Sequence, residues 1–258
     1  MNDDELLQVL HDTATAISDS LDGISDWGLA GTRVGQHHSD LVADEAAITV
    51  LAAAGVGVLS EESGPREADR NIVVVVDPLD GSTNAHRGVP WYAASLCAVD
   101  REGPRAALVA DLVSTHRFTA TRGGGARCDG DPIAPTACIT LDAAVIGVSG
   151  LPPHDLGWHQ FRALGAIALD LCAVASGVLD GFVDCGADAH GPWDYMGASL
   201  ICREAGVPVV DAAGRDLIAL NHDARRTPLA AATPVLLDQL VQARADWVVT
   251  ETTDASSG

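Results

Sequence analysis

The chain has 258 residues, 47% of them hydrophobic, which is enough for one large or two moderate domains with a buried core and no disulfide staples. Its formal charge of -21 comes from 36 acidic residues against 15 basic ones, every one of them arginine, since the sequence contains no lysine. Such a chain is too apolar to be disordered and too acidic for nucleic acid or an anionic membrane surface, so neither is expected as a partner.

The first element predicted is an amphipathic helix over 5–18, where Leu6, Val9, Leu10, Thr13 and Ile17 recur at helical spacing. A glycine-rich loop, Gly28 to Gly35, and a second helix, Asp44 to Ala54, follow. Val56 to Leu59 reads as a short strand, and the β-branched run Ile72 to Val76 as a strand buried on both faces that stops at Asp77-Pro78. Further strands are predicted at Ala106 to Val113, Arg117 to Thr121 and Ala144 to Val148. Beyond residue 150 helices and strands alternate: a small-residue helix over Leu164 to Ser176, a strand over Leu179 to Asp184, a helix over Asp194 to Ala205 closed by Gly206, a strand over Val207 to Val210 and a helix over Pro234 to Ala243. The expectation is an α+β half, 1–150, an α/β half, 151–258, and a disordered tail from Thr250.

The six cysteines form no CxxC pair and several lie in apolar runs, which predicts free thiols in a reducing compartment. The acidic start Asn2-Asp3-Asp4-Glu5 is unlike an export signal, and the apolar stretch Ala46 to Leu59 is too short to cross a bilayer. A cytoplasmic protein is expected, and the acidic surface suits concentrated salt.

Chemistry concentrates in Asp77-Pro78-Leu79-Asp80-Gly81-Ser82-Thr83-Asn84, directly after the buried strand. Two carboxylates three residues apart at a strand end repel each other unless a cation neutralises them, and hard oxygen donors select Mg²⁺ or Mn²⁺. Gly81, Ser82 and Thr83 then offer successive N–H groups and hydroxyls at a helix start, where phosphate binds readily. Glu61-Glu62-Ser63 ends a strand upstream, and Asp194 opens a later helix behind Trp193. Each of these also has a plain structural reading, as an Asx turn, a solvated turn and an N-cap.

The strings Glu61-Glu62-Ser63, 77–84 and Trp193-Asp194…Ala198…Glu204-Ala205-Gly206, in this order and separation, resemble the three signatures of the inositol monophosphatase superfamily, with similarity over about residues 5 to 240. The resemblance implies that superfamily's layered αβαβα sandwich and an Mg²⁺-dependent phosphomonoesterase acting on a small phosphorylated metabolite by metal-activated water. By it, Glu61, Asp77 and the Leu79 carbonyl hold one cation and Asp77, Asp80 and Asp194 a second, with a third weakly held at Glu61. Gly81, Ser82 and Thr83 bind substrate phosphate, Asp184 faces substrate hydroxyls, and Glu62, Asp44 and Ser82 serve catalysis, Asp44 as the partner of the attacking water. A homodimer is also implied. Inositol-1-phosphate is the leading substrate because Trp193 precedes Asp194; fructose 1,6-bisphosphate or another sugar or nucleotide phosphate is the alternative, and a non-catalytic regulatory homologue the alternative of another class. A second phosphate would call for clustered arginines, for which Arg122, Arg127 and Arg162 are candidates. The sequence departs from the family pattern at Ala43, where threonine is usual, at His37 and His38, which replace a basic residue and read as exposed loop histidines, and in the longer stretch Cys185 to Pro192.

Overall fold

The computed structural model describes residues 1–24, 26–31, 36–152 and 154–254. Helix α1 (Asp3–Asp22) starts at a reciprocal cap in which the Asn2 side chain accepts the Glu5 N–H and Glu5 accepts the Asn2 N–H. Helix α2 (His38–Ala53) begins before the expected Asp44, because Asp40 accepts the His37 N–H at 2.8 Å and so closes the first turn one turn earlier. His37 is therefore buried, its ring 5.2 Å from that of His86, and not an exposed loop residue; His38 is exposed opposite Asp26. Of the glycine-rich loop, 32–35 lie outside the described residues.

The chain then builds a large sheet from β1 (Gly57–Ser60), β2 (Gly64–Arg66), β3 (Val73–Asp80), β4 (Ala93–Asp100), β5 (Gly103–Asp111), β6 (Arg117–Thr121), β7 (Gly125–Cys128) and β8 (Asp131–Pro132), with the short helix α3 (Ser82–Arg87) between β3 and β4. The order is β2-β1-β3-β4-β5-β6-β7-β8, β1 and β3 being parallel and the remaining pairs antiparallel. Strand β3 does not stop at Asp77 as expected. It runs on to Asp80, with a register shift against β4 between Asp77 and Asp80, where Pro78 has no N–H to give the ladder.

The second half supplies β9 (Val145–Ser149), β10 (Gln160–Arg162), α4 (Ile167–Ala175), β11 (Gly181–Asp184), α5 (Pro192–Ala205), β12 (Val209–Asp211), β13 (Pro228–Ala231) and α6 (Pro234–Asp254), whose strands form a sheet in the order β10-β9-β11-β13-β12. Helix α6 extends to Asp254, past the Thr250 at which a disordered tail was expected.

Alternation along β3 explains the layering. Val74 and Val76 join Leu6, Leu10, Ile17, Ala47 and Leu51 of α1 and α2, while Val73 and Val75 face α4 and α5 on the other side. Each fully buried leucine or isoleucine of α1 contributes about 2 kcal/mol by leaving water. Helix α4 is buried on every side, as its sequence, apolar but for Asp170, requires, and with α5 it fills the space between the two sheets. Leu236, Leu237 and Leu240 of α6 cover the outer face of the small sheet. The result is an αβαβα sandwich of the expected class.

Candidate functional site

The strand ends and helix starts of this sandwich bring the acids together. Glu61 follows β1 with its N–H on the Val76 carbonyl at 3.1 Å, and Asp77 Oδ1 accepts the Leu79 N–H at 2.9 Å, fixing the irregular end of β3. Asp80 Oδ2 accepts the Ala168 N–H at 2.7 Å, at the start of α4. Asp194 sits in the first turn of α5, its Oδ2 accepting the Gly191 N–H at 2.8 Å. One carboxylate oxygen from each of Glu61, Asp77 and Asp194 lies within 4.8 Å of the others, and Asp80 lines the same pocket.

Burial first, and then the mutual repulsion of these acids, holds the carboxyls of Glu61, Asp77 and Asp80 well above the usual range. An all-oxygen donor set that repels itself in this way fits a hard divalent cation such as Mg²⁺ or Mn²⁺.

Beside the acids Gly81 heads α3 with φ +85°, where a Cβ would stand 3.1 Å from the Trp91 carbonyl oxygen and 3.2 Å from that of Gly165. Only glycine lets the backbone approach there. The cleft has two lobes that share Glu61, Asp77, Leu79 and Ser82. The inner lobe, of about 190 Å³, adds Ser149, Asp170 and His190; the outer, of about 320 Å³, adds Asp40, Glu62, Trp193, His222 and Arg225. Thr83 is exposed and lines neither.

Trp193 anchors the outer lobe. Its carbonyl accepts the Ser95 hydroxyl at 3.0 Å, its ring lies 4.7 Å from His222, and the Arg225 guanidinium sits 5.2 Å over it. His222 Nε2 is in turn 3.0 Å from the Glu61 carbonyl oxygen.

Other expected residues are placed elsewhere. Asp44 lines neither lobe: it lies buried behind β1, where it accepts the Ser60 hydroxyl, and Ser60 Oγ in turn accepts the Glu62 N–H at 3.0 Å. Its reach to the cleft is through that turn, whereas Asp40, one helical turn earlier, faces the outer lobe. Asp184 is also buried and absent from both lobes, standing behind His190 with its Oδ1 on the Gly186 N–H at 2.7 Å. The three candidate arginines do not converge: Arg122 pairs with Asp100 and Glu102, Arg127 binds the Gly130 carbonyl and Arg162 binds Gln160. Among the described residues, the arginine that lines the cleft is Arg225.

His190 and Asp170 escaped the sequence reading. Each carried a signal: His190 lies four residues before Asp194 in the lengthened stretch, and Asp170 is the one acid in an otherwise apolar helix. The carboxylates of Asp194, Asp184 and Asp80 outweigh the burial that would lower the His190 pKa, and raise it. Among the described residues one other group of donors gathers, His116, Cys128 and Asp129 on the β6–β7 hairpin, where His116 Nδ1 is already 2.6 Å from Asp129 Oδ2. All six cysteines are free thiols, and no helix among the described residues is long and apolar enough to cross a membrane.

The sequence profile of the inositol monophosphatase family matches residues 32–248. Fructose-1,6-bisphosphatase of Pyrococcus furiosus is 32% identical over 205 residues, 78% of this chain and 80% of that protein. The Nus factor SuhB of Escherichia coli is 34% identical over 173 residues, 61% of this chain and 63% of that protein. Among solved structures, a Pyrococcus horikoshii protein described as having similarities to inositol-1 monophosphatase superposes with a TM-score of 0.80 at 26% identity, covering 93% of this chain and 96% of that one.

Proposed function

Because the chain belongs to the inositol monophosphatase family and is a phosphatase of that superfamily, we propose that it is an Mg²⁺-dependent, cytoplasmic and homodimeric phosphomonoesterase for a small phosphorylated metabolite, with inositol-1-phosphate as the leading substrate. The observation that carries this reading is the convergence of Glu61, Asp77 and Asp194 oxygens on one point beside the Gly81 turn.

In this reading Glu61, Asp77 and the Leu79 carbonyl hold one divalent cation, and Asp77, Asp80 and Asp194 a second. The cations supply the positive charge that eases deprotonation of water and steadies the departing oxygen. The backbone N–H groups at Gly81 and Ser82 receive the phosphate. Glu62, on the outer lobe, orients the attacking water, and Asp44 holds the Glu61-Glu62 turn through Ser60. Asp77 and Asp80 keep their angle to the cleft because their remaining oxygens are occupied by the Leu79 and Ala168 N–H groups.

Fructose 1,6-bisphosphate is the second reading, favoured by the name of the P. furiosus relative and by Arg225, which brings a cation to the outer lobe. Phosphate release measured on inositol-1-phosphate, fructose 1,6-bisphosphate and a nucleotide monophosphate, with Mg²⁺ and with chelator, tests the proposal and ranks the substrates. Release that stops with chelator and returns with Mg²⁺ is the expected result. Unchanged turnover in chelator, or no hydrolysis of any phosphomonoester with Mg²⁺, overturns it.

A further inference from the structure

The lengthened stretch between β11 and α5 is tied down by its pairing with 226–227. The His190 N–H donates to the Arg226 carbonyl at 3.2 Å, the Arg226 N–H returns the bond at 2.9 Å, and the Asp188 N–H donates to Thr227 Oγ1 at 2.9 Å. This pairing delivers the His190 ring to the wall of the inner lobe, where 14% of its side chain is exposed. Its Nδ1 is 3.3 Å from Asp194 Oδ2, and its Nε2 is 3.2 Å from Ser149 Oγ and 3.7 Å from Asp184 Oδ2.

An ionised carboxylate only accepts, so a hydrogen bond between His190 Nδ1 and Asp194 requires the proton on Nδ1. In the neutral ring Nε2 is then an acceptor, which the Ser149 hydroxyl satisfies as donor. Asp194 Oδ2 thus receives two N–H groups, from the His190 ring and the Gly191 backbone, both on the same anchored segment. With Oδ2 held twice, Oδ1 is left the freer oxygen of that carboxylate.

We propose that His190 is a positioning residue for Asp194: its Nδ1–H, with Nε2 anchored on the Ser149 hydroxyl, fixes the carboxylate in the orientation in which it joins Glu61 and Asp77. The inference rests on the metal-dependent reading of the site. Groups that orient a ligand carboxylate are worth about 10–100-fold in metal affinity or activity.

The test is calorimetric titration of Mn²⁺ and Mg²⁺ into the parent, His190→Ala, His190→Asn, His190→Gln and Ser149→Ala, with metal-free melts of each to establish folding. Asparagine places an N–H donor near the position of Nδ1, whereas glutamine places one near that of Nε2. Expected are a loss of metal affinity of about 10–100-fold for His190→Ala and His190→Gln, affinity close to the parent's for His190→Asn, and a smaller loss for Ser149→Ala, which leaves the Asp194 bond in place. Turnover at low Mg²⁺ follows the same order and converges as Mg²⁺ approaches saturation. A His190→Ala protein that binds metal like the parent, or equal losses in the asparagine and glutamine variants, overturns the role of His190. Should the histidine variants not fold, Ser149→Ala decides alone: it removes the Nε2 anchor of the ring, and unaltered affinity in it overturns the proposal that an anchored His190 holds Asp194. A parent that binds neither cation overturns the metal-dependent reading itself.

Discussion

Asp170 offers a stability measurement that is independent of catalysis. It is 1% exposed, lines the inner lobe, and its Oδ1 accepts the Trp91 Nε1–H at 2.9 Å. Burial pushes its carboxyl from the ordinary 3.8 up to about 7, against the opposing pull of the Trp91 bond and of His190. Between these two values the unfolded chain is ionised while the folded chain keeps its proton. The contribution to stability is therefore complete below the unfolded pKa and disappears as pH rises through 7. A shift of about 3 units at about 1.4 kcal/mol each amounts to about 4 kcal/mol in total. Of this, roughly 2.5 kcal/mol is lost between about pH 5 and 8. At about 2 °C per kcal/mol for a chain of this length, that corresponds to about 5 °C in Tm.

Asp170→Asn keeps the acceptor for Trp91 and removes the titration. Thermal melts of parent and variant in chelator, taken in steps from about pH 5 to 8, should show the variant gaining on the parent by that amount. A gap that stays constant with pH refutes the argument, because it would mean that Asp170 is ionised in the folded protein throughout.

Asp77→Asn abolishes turnover yet leaves the metal-free protein at least as stable as the parent, since it removes one charge from a cluster whose members raise each other's pKa; a lower metal-free Tm would contradict the repulsion. Asp194→Asn weakens binding of one cation and spares the other, so a calorimetric titration should lose one class of site and not both. Burial would raise the Asp211 carboxyl, but two bonds from Arg215 at 2.8 and 2.9 Å and the Thr227 N–H at 2.8 Å outweigh it and bring it down to about 2. That stability is present above the ordinary 3.8 and lost as pH falls toward 2. Asp211→Asn therefore lowers Tm by about 4 °C near neutral pH, a gap that closes in acid melts. Finally, with a formal charge of -21, Tm rises with added KCl as self-repulsion is screened, and a flat salt series would refute a salt-adapted surface.

The features of the fold legible in the sequence were those with a strong local cause. The valine run of β3 announced a strand buried on both faces, the small-residue run of α4 a helix, and Gly206, at φ +89°, marked the end of α5. Strand β4 did not, although it is eight residues long and central, because Ala93-Ala94-Ser95 and Cys97-Ala98 lack the β-branched side chains that mark a strand. Strand β13, Pro228–Ala231, was hidden for the same reason. At the site, acids adjacent in sequence were legible because a short chain distance bounds their separation in space. His222 and Arg225 were not, because they come to Trp193 from a loop between β12 and β13 whose path is set by long-range pairing, including the bridge between His190 and Arg226.

The acids of the cleft belong to different layers of the sandwich: Glu61 directly follows β1 and Asp77 lies in β3 of the large sheet, while Asp194 rides on the helix between the sheets. In the proposed metal-dependent reading, a cation gripped by both would be a fastener between layers, and metal occupancy would be linked to folding. A free metal concentration about 100 times the Kd adds about 2.7 kcal/mol to stability. With metal removed, apolar packing and the hydrogen bonds from Ser95 to the Trp193 carbonyl and from the Ala168 N–H to Asp80 are set across that seam against the mutual repulsion of the acids. On that reading, amide exchange in the first turn of α5 should accelerate on chelation before the outer helices α1 and α6 respond, and the divalent ion would set how tightly the sandwich is closed.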